Sequence, residues 1–597
     1  MDKNTFTGMF LILIILAGSF YFFKPSEAEI NQEKARIAAD SLKKVQEAKP
    51  QAQQNQNIAK PTLDSVVLTG PFATAKTGTA QETILENENL KITFSNLGGK
   101  IIKAELKNEK NYKGNVVSLL DNKGSFGLNF MAEGKLIKTN ELYFTPTVQG
   151  NTITFRANYG EGKLVEYVYN IIPNSNNVDF NINLIGLNQI ITSKNIQLNW
   201  QASLYQQEKS LKNEQSYSGS FFKYANENPD YLSLHKDDSK VLDEGKIDWI
   251  AFKQHFFSAI LIPKSGFDKG EMEVKLSTDS NIVKHYSANM DLGFNQNSVQ
   301  NYNMRFYFGS NKYTSLKAQG HEIEKLVDMG YWPLKYINRF VVLPLFNWLE
   351  GLNLGYGLII LMLTILVKGA LSPLTYKSYL SMAKMRVLKP EMDEIKEKVG
   401  DDNPTLLQQE YLKLYKQVGV NPLGGCLPML LQMPFIMAFF FFFPNLFELR
   451  GESFLWMDDL STYDSFFEFG FNIPFIGNHI SLMCLLMTIS QLIQAYYNNL
   501  TAGAASNNQM KYIGYIMPIV FFGILNSYPS GLNYYYFLAN MITFAMQFAI
   551  RSMVDDDKIH AILKEKKARP VEKKKKSKFQ QRMDDYMKQQ QLEKNKK

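Results

Sequence analysis

The amino-acid sequence predicts a multi-domain membrane protein in which six transmembrane α-helices carry one large all-β domain outside the cytoplasm. Three observations predict it. Apolar residues crowd into Phe6 to Phe23 and into the stretch after Phe340, although charged residues make up 20% of the 597-residue chain. Between those regions apolar and polar residues alternate with period two, the signature of half-buried strands. Lysine and arginine gather in particular segments between the apolar runs, which sets an orientation across a bilayer.

Taken in order, residues 1–25 hold the apolar run Phe6 to Phe23 with no clear small-x-small site after it, so they read as an uncleaved signal anchor. Residues 26–60, rich in Ala, Gln, Glu and Lys, read as a flexible tether. In residues 61–315 the runs "LKITFSN", "NTITFRANY", "LVEYVYNII", "NVDFNINLIGL", "IQLNWQASL" and "NYNMRFYFG" are separated by turn residues, which predicts a β-sandwich. Its Asp, Glu and His residues show no catalytic spacing. A sandwich of this kind suits a spacer or docking role, or the binding of carbohydrate or peptide. The only cysteines, Cys426 and Cys484, fall in apolar segments, so no disulfide framework holds this domain. In residues 316–352 the apolar core Phe340 to Leu349 is too short to cross a bilayer. With Trp332, Tyr336 and Trp348 around it, the segment reads as an interfacial amphipathic helix, or as one packed on the β-domain.

Residues 353–551 contain the other five candidate spans: Leu354 to Leu374, Gly424 to Phe443, Ile480 to Tyr497, Tyr512 to Leu525 and Leu532 to Ile550. The segment from Tyr376 to Val420 carries eight Lys/Arg, whereas Pro444 to His479 carries only Arg450 beside six acids. The first is therefore cytoplasmic and the second external. The tail, residues 552–597, belongs to a basic stretch with 16 Lys/Arg from Arg551 onward and reads as solvated cytoplasmic chain. Six spans put both termini in the cytoplasm. Within the cytoplasmic segment 376–420, Met385, Leu388, Met392, Ile395 and Val399 recur at helical spacing, as do Leu407, Tyr411, Leu414 and Val418. With "GDDNP" between them, this predicts a helical hairpin whose edge carries Met382, Met385 and Met392.

One charge stands out. Lys368 lies inside "LIILMLTILVKGALSPL", roughly 12 Å from the end of its span, and a lysine at a helix centre costs about 2.5–3.5 kcal/mol on insertion scales. Pro373, ending the helix early, is the arrangement that would relieve it. Thr364 and Ser372, four residues to either side, share its face. Ser481, Cys484, Thr488 and Gln491 form a second polar stripe, and Asn533, Tyr536, Asn540, Thr543 and Gln547 a third, while Gln432 adds an amide. Such stripes commonly join helices. If three of them converge with a cation, they form a hydrated groove with no carboxylate, since none of the six spans contains Asp or Glu. That absence counts against cation-coupled transport. There is no P-loop, zinc-ligand cluster or nucleophile motif, so neither a cofactor nor a metal is expected and the chain does not read as an enzyme. A small-solute transporter and a membrane-tethered sugar-binding module are the competing readings.

The segments "VNPLGGCLPMLLQMPFIMAFFFF", "ILVKGALSPLTYKSYLSMAKMRVLKPEM", "SYPSGLNYYYFLANMITFAMQ" and "DWIAFKQHFFSAILIP" resemble the YidC membrane protein insertase family over nearly the whole chain. The resemblance implies a periplasmic β-supersandwich and a five-helix insertase core in the inner membrane. It also implies a groove that receives hydrophobic segments of nascent membrane proteins, alone or with the Sec translocon. Thr364 and Tyr536 match family residues that face each other across the groove, and Gln432 and Met433 match a pair that contacts the entering chain. The cytoplasmic hairpin is a mobile receiving element in the family, and relatives with long basic tails engage ribosomes. The family carries arginine where this chain has Lys368, which keeps the charge and loses the planar fork of donors. The resulting expectation is a monomer whose groove uses Lys368, Thr364, Ser372, Gln432, Met433, Gln491, Tyr536 and Asn540, and whose tail binds the ribosome or anionic lipid.

Overall fold

The computed structural model describes residues 70–120, 124–400, 404–420, 427–474, 476–501 and 508–568. The predicted anchor and tether, Cys426 and the chain beyond residue 568 lie outside the described residues.

Alternation in the sequence becomes two large antiparallel sheets. The nine-stranded sheet runs, edge to edge, through Asp230–Tyr231, Gly219–Tyr224, Ile247–Lys253, Phe257–Pro263, Val299–Ser310, Asn177–Ile185, Lys163–Ile171, Thr152–Gly160 and Thr145–Gln149. The six-stranded sheet runs through Asp238–Leu242, Lys269–Leu276, Ile282–Gly293, Asn195–Tyr205, Ser125–Ala132 and Lys135–Lys138. Strand Asn177–Ile185 shows the cause plainly: every second residue is buried, which is what a strand with one face on a core requires. The sheets close on each other through aromatic rings. Trp200 of the six-stranded sheet lies 4.1 Å from Phe252 of the nine-stranded sheet, and Phe126 lies 5.5 Å from Phe180 and 5.6 Å from Phe306. A smaller four-stranded sheet spans residues 82–118.

Twelve α-helices are described. Two are short: α1 (Leu211–Tyr217) inside the β part and α2 (Tyr313–Ala318) after it. Next come α3 (Leu334–Ile337), a π turn over Asn338–Val342, and α4 (Leu343–Glu350). The helical core follows: α5 (Tyr356–Val387), α6 (Lys389–Val399), α7 (Pro404–Val418), α8 (Leu427–Phe442), α9 (Leu482–Thr501), α10 (Asn508–Leu525), α11 (Ser530–Met553) and α12 (Asp556–Ala568). Among the described residues, α5 alone is by length and composition long and apolar enough to cross a bilayer. Helix α11 passes the same test together with α12 beyond a 64° bend, and α10 is a shorter apolar helix.

Two expectations are corrected here, the first helix of the hairpin and the start of the solvated tail. Helix α5 passes Pro373 unbroken and continues to Val387, so the alternative of an early end at that proline is not the one formed. The proline lacks one N–H and crowds the carbonyl four residues back, where Gly369 has open space beside it. The break falls instead at Leu388, because Pro390 sits in the first turn of α6, a position that accepts proline while its ring opposes continuation from the preceding turn. Met382 and Met385 therefore lie on the extension of α5 rather than on one hairpin helix with Met392. The tail, too, is not solvated from residue 552: Ile559 and Leu563 of α12 are buried against Ala383, Leu388, Met392, Leu414 and Val418, and Arg386 donates to Asp556 at 2.7 and 2.9 Å.

The segment joining the β part to the helices is packed on both. Leu316, Ile323 and Leu326 are buried with Trp249 and Tyr307 of the β part, while Phe346 of α4 packs on Tyr356 and Phe442. Trp332, Tyr336, Phe340 and Trp348 remain exposed. A second junction is made by the loop after α8. Arg450 donates to Glu208 at 2.8 Å and to the Lys110 carbonyl at 2.8 Å, and lies over the Phe257 ring. His255 pairs through Nε2 with the Pro444 carbonyl at 2.7 Å, stacked between Tyr217 and Phe256.

Because a carbonyl only accepts, His255 must hold its proton on Nε2. Burial, with Lys253 and Arg450 nearby, pushes its pKa down to about 3. A depressed folded pKa means that this contribution is present above the ordinary histidine value and is lost as pH falls from there toward the folded value. We expect acidification from pH 7 to 5 to destabilise the wild type by up to about 2 kcal/mol more than His255→Gln. Thermal unfolding of both proteins at the two pH values checks this; equal pH dependence would contradict it.

Candidate functional site: a buried cation between three helices

Helix α5 carries Lys368 into the middle of the helical core, where it is 9% exposed. The surrounding cluster explains why it is held there: Leu363 and Val367 of α5, Phe439 of α8, Met487 of α9 and Ala539 of α11 belong to one buried apolar group. The ammonium is met by neutral oxygens. Nζ lies 3.1 Å from Thr543 Oγ1 on α11 and 3.4 Å from Gln432 Oε1 on α8. Thr543 gives its own proton to the Ala539 carbonyl at 2.6 Å, so its oxygen faces the lysine as an acceptor. Among the described residues, no carboxylate stands within ion-pair distance of Lys368. A lysine offers three donors, and two neutral side-chain oxygens meet them here.

Other predicted groove residues are placed around this centre in different ways. Thr364 is fully buried and donates to Ile360 in its own helix at 2.6 Å. Tyr536 donates to the Ile436 carbonyl of α8 at 3.0 Å, and Asn540 donates to Ser490 of α9 at 2.8 Å. Each of these bonds therefore ties helices or closes a turn. Ser372 and Gln491 are half-buried, whereas Met433 is exposed one position after Gln432. Of the hairpin methionines, Met392 is buried and accepts the Tyr415 hydroxyl at 3.2 Å, while Met382 and Met385 are half-buried. Methionine packs readily in irregular gaps, and here Met392 fills the hairpin's own core.

The structure adds residues that the stripes did not single out. Ser490, the partner of Asn540, stands two positions after Thr488 and so off the three-and-four progression. Asp464, in the loop before α9, accepts from Met483 N at 2.9 Å and from the Ser481 hydroxyl. An acid at a helix N-terminus satisfies orphan N–H groups and complements the dipole. Helix α11 starts against the same loop, with Ser530 N and Gly531 N donating to the carbonyls of Thr462 and Leu460. The loop thus fixes the starts of α9 and of α11, the helix that carries Thr543.

Fold and site together define a class: an integral-membrane helical core with a cation buried among neutral dipoles, bearing a large antiparallel β-domain. Residues 83–347 match the family described as YidC periplasmic domain, and residues 348–558 the family described as 60Kd inner membrane protein. The chain is 38% identical over 598 residues to the membrane protein insertase YidC of Bacteroides fragilis, with 96% of each chain covered. It is 40% identical over 565 residues to the insertase of Phocaeicola vulgatus, covering 91% of this chain and 90% of that one. A crystal structure titled as an active YidC insertase with its first transmembrane domain resolved covers 79% of this chain and 93% of its own, at 20% identity and a TM-score of 0.33. The chain belongs to the YidC membrane protein insertase family. It is accordingly an inner-membrane protein whose β part is the periplasmic domain, and a non-enzymatic insertase.

Replacing Thr543 by valine removes the nearer acceptor of a buried ammonium while keeping the side-chain shape. The expected cost is about 1–3 kcal/mol, read as a lower unfolding temperature in detergent. The same loss should vanish in Lys368→Met/Thr543→Val relative to Lys368→Met. An undiminished loss in that background would show that Thr543 does not act through the lysine.

Proposed function

We propose that the chain receives hydrophobic segments of nascent membrane proteins in a polar groove around Lys368 and releases them into the inner membrane. The supporting observation is the buried ammonium held by the neutral oxygens of Thr543 and Gln432, with no carboxylate in ion-pair distance among the described residues. An extended polar or acidic stretch of passing chain would supply further acceptors, and the groove would offer hydrogen bonds partway across hydrocarbon. No bond is made or broken in such a step. The energy comes from transfer of the client's apolar segment out of water.

In this reading Lys368 attracts the client as a point charge, and Thr364, Ser372, Gln432, Gln491, Tyr536 and Asn540 line the way. Met433, exposed beside Gln432, contacts the apolar part of the client, and Met382, Met385 and Met392 belong to the receiving hairpin. Helices α5, α8, α9, α10 and α11, with the Phe6 to Phe23 segment, make six spans, and both termini are cytoplasmic. The domain boundaries predicted above, 26–60 for the tether and 61–315 for the β-domain, complete the arrangement. The protein acts as a monomer, alone on small clients and as a chaperone beside the Sec translocon on larger ones. Its tail contacts ribosomes, and anionic lipid contributes about 1 kcal/mol per basic residue near the surface.

The test is insertion of a small single-span client by purified protein in liposomes without nucleotide, scored by protease protection. Lys368→Leu should lose at least about tenfold of the insertion rate, corresponding to about 1.4 kcal/mol, while Lys368→Arg retains it. Unimpaired insertion by a folded Lys368→Leu protein would refute the role given to the charge.

A further inference from the structure

The loop between α8 and α9 contains a β-hairpin, Phe467–Ile473 paired with Gly477–Ile480. Three of its aromatic residues are uncovered, Phe466 at 70% exposed, Phe467 at 57% and Phe471 at 67%, and Phe469 between them is half-buried. Phe467 and Phe469 lie 5.2 Å apart, and Phe469 and Phe471 5.7 Å, so three alternate rings touch in succession along one face. Glu468, Gly470 and Asn472 occupy the alternate positions and are exposed as well. Between Ser465 and Ile480 the only acidic or basic side chains are Glu468 and His479, and His479 is buried. A two-stranded ribbon has no second layer of its own to cover an apolar face, and such a row of phenylalanines is costly in water.

The base of this hairpin is rigidly placed. Asn526, fully buried at the end of α10, donates to the carbonyls of Ile476 at 2.9 Å and His479 at 2.7 Å, and accepts from Ser481 N at 2.9 Å. His479 in turn reaches the Asn526 carbonyl at 3.0 Å and stacks on Tyr463 at 3.8 Å. Ile480 is two residues before Leu482, where α9 begins. The hairpin is therefore clamped to the ends of α9 and α10. The same loop contacts the periplasmic domain through Arg450 and Glu208, which puts it at the outer boundary of the membrane.

We propose that the Phe467–Ile480 hairpin is an outer-leaflet anchor whose Phe467, Phe469 and Phe471 face enters the interfacial zone of the bilayer. Three features select lipid as the occupant. The face continues from membrane helices through a fixed junction. It is aromatic and lacks basic or acidic side chains, and aromatic residues favour the interfacial zone. Glu468, the hairpin's lone exposed charge, stands on the alternate positions, where it stays in water. The anchor fixes the depth at which α9 begins and α10 ends, and hence the level of the groove residues on α9.

The alternation supplies the test. Single-cysteine proteins at positions 467, 468, 469, 471 and 472, on a Cys426→Ala/Cys484→Ala background, are labelled with an environment-sensitive fluorophore. Each is placed in nanodiscs holding one full-length chain. The fluorophore at 467, 469 and 471 should be quenched severalfold more by lipid carrying a nitroxide near the headgroup than by aqueous iodide, with the order reversed at 468 and 472. Iodide quenching at all five positions would overturn the proposal. Protection of 467, 469 and 471 from both quenchers would overturn it too, because protein would then cover the face. As a second readout, Phe467→Ser/Phe469→Ser should keep the unfolding temperature in detergent and lose lipid quenching at a probe on Phe471→Cys; unchanged quenching there would count against the anchor.

Discussion

One ammonium group, held among neutral dipoles in an apolar helical core, sets the terms for the rest of the helical part. A lysine at this depth is unfavourable by about 2.5–3.5 kcal/mol, so two neighbouring helices must bring it oxygen atoms. Helix α11 supplies Thr543 and α8 supplies Gln432, and both must be held at the right rotation about their axes. The starts of α9 and α11 are fixed by a loop whose carboxylate and carbonyls satisfy their first N–H groups. Tyr536 and Asn540 then bind α11 to α8 and α9. Without those ties the polar stripe on α11 would be free to turn toward lipid, and the lysine would lose its nearer partner.

The periplasmic domain is attached by a different kind of contact. Its aromatic core is self-sufficient, and its junction with the helical core is made by a few groups: Arg450 between Glu208 and the Lys110 carbonyl, a neutral His255 on Pro444, and the Phe447 ring edge-on to Phe256 and Phe257. This junction lies on the loop that also caps the helices around Lys368. The two halves of the molecule therefore share one structural element, although the cation and its acceptors come from the helices alone.

Much of this was legible in the sequence, for physical reasons that differ by element. Strand alternation is a local property, so "NVDFNINLI" announced its buried face. Lys368 was visible because a charge in an apolar run is costly, and the stripe through Thr543 because its polar residues recur at helical spacing. Four features were not legible. Whether Pro373 or Pro390 breaks the helix depends on the packing that each proline meets, and only the second falls at a turn. The α12 helix gains its order from burying Ile559 and Leu563 on a hairpin that starts about 170 residues earlier in the chain, as the Arg386 to Asp556 pair illustrates. The Arg450 to Glu208 contact joins residues 242 positions apart, beyond any periodic signal. Nor did spacing reveal that Thr364 would donate to its own helix, since the back-bond to Ile360 competes with any partner across the bundle.

The central claim is that a client's hydrophobic segment passes beside Lys368. The most direct measurement is photocrosslinking to a ribosome-bound, single-span client from a photoreactive residue at Met433 or Gln491, compared with one at Ile519, which is exposed on α10. The account predicts adducts at Met433 and Gln491 that fade in Lys368→Leu, and few or none at Ile519. Strong adducts at Ile519 with none at the other two positions would contradict it.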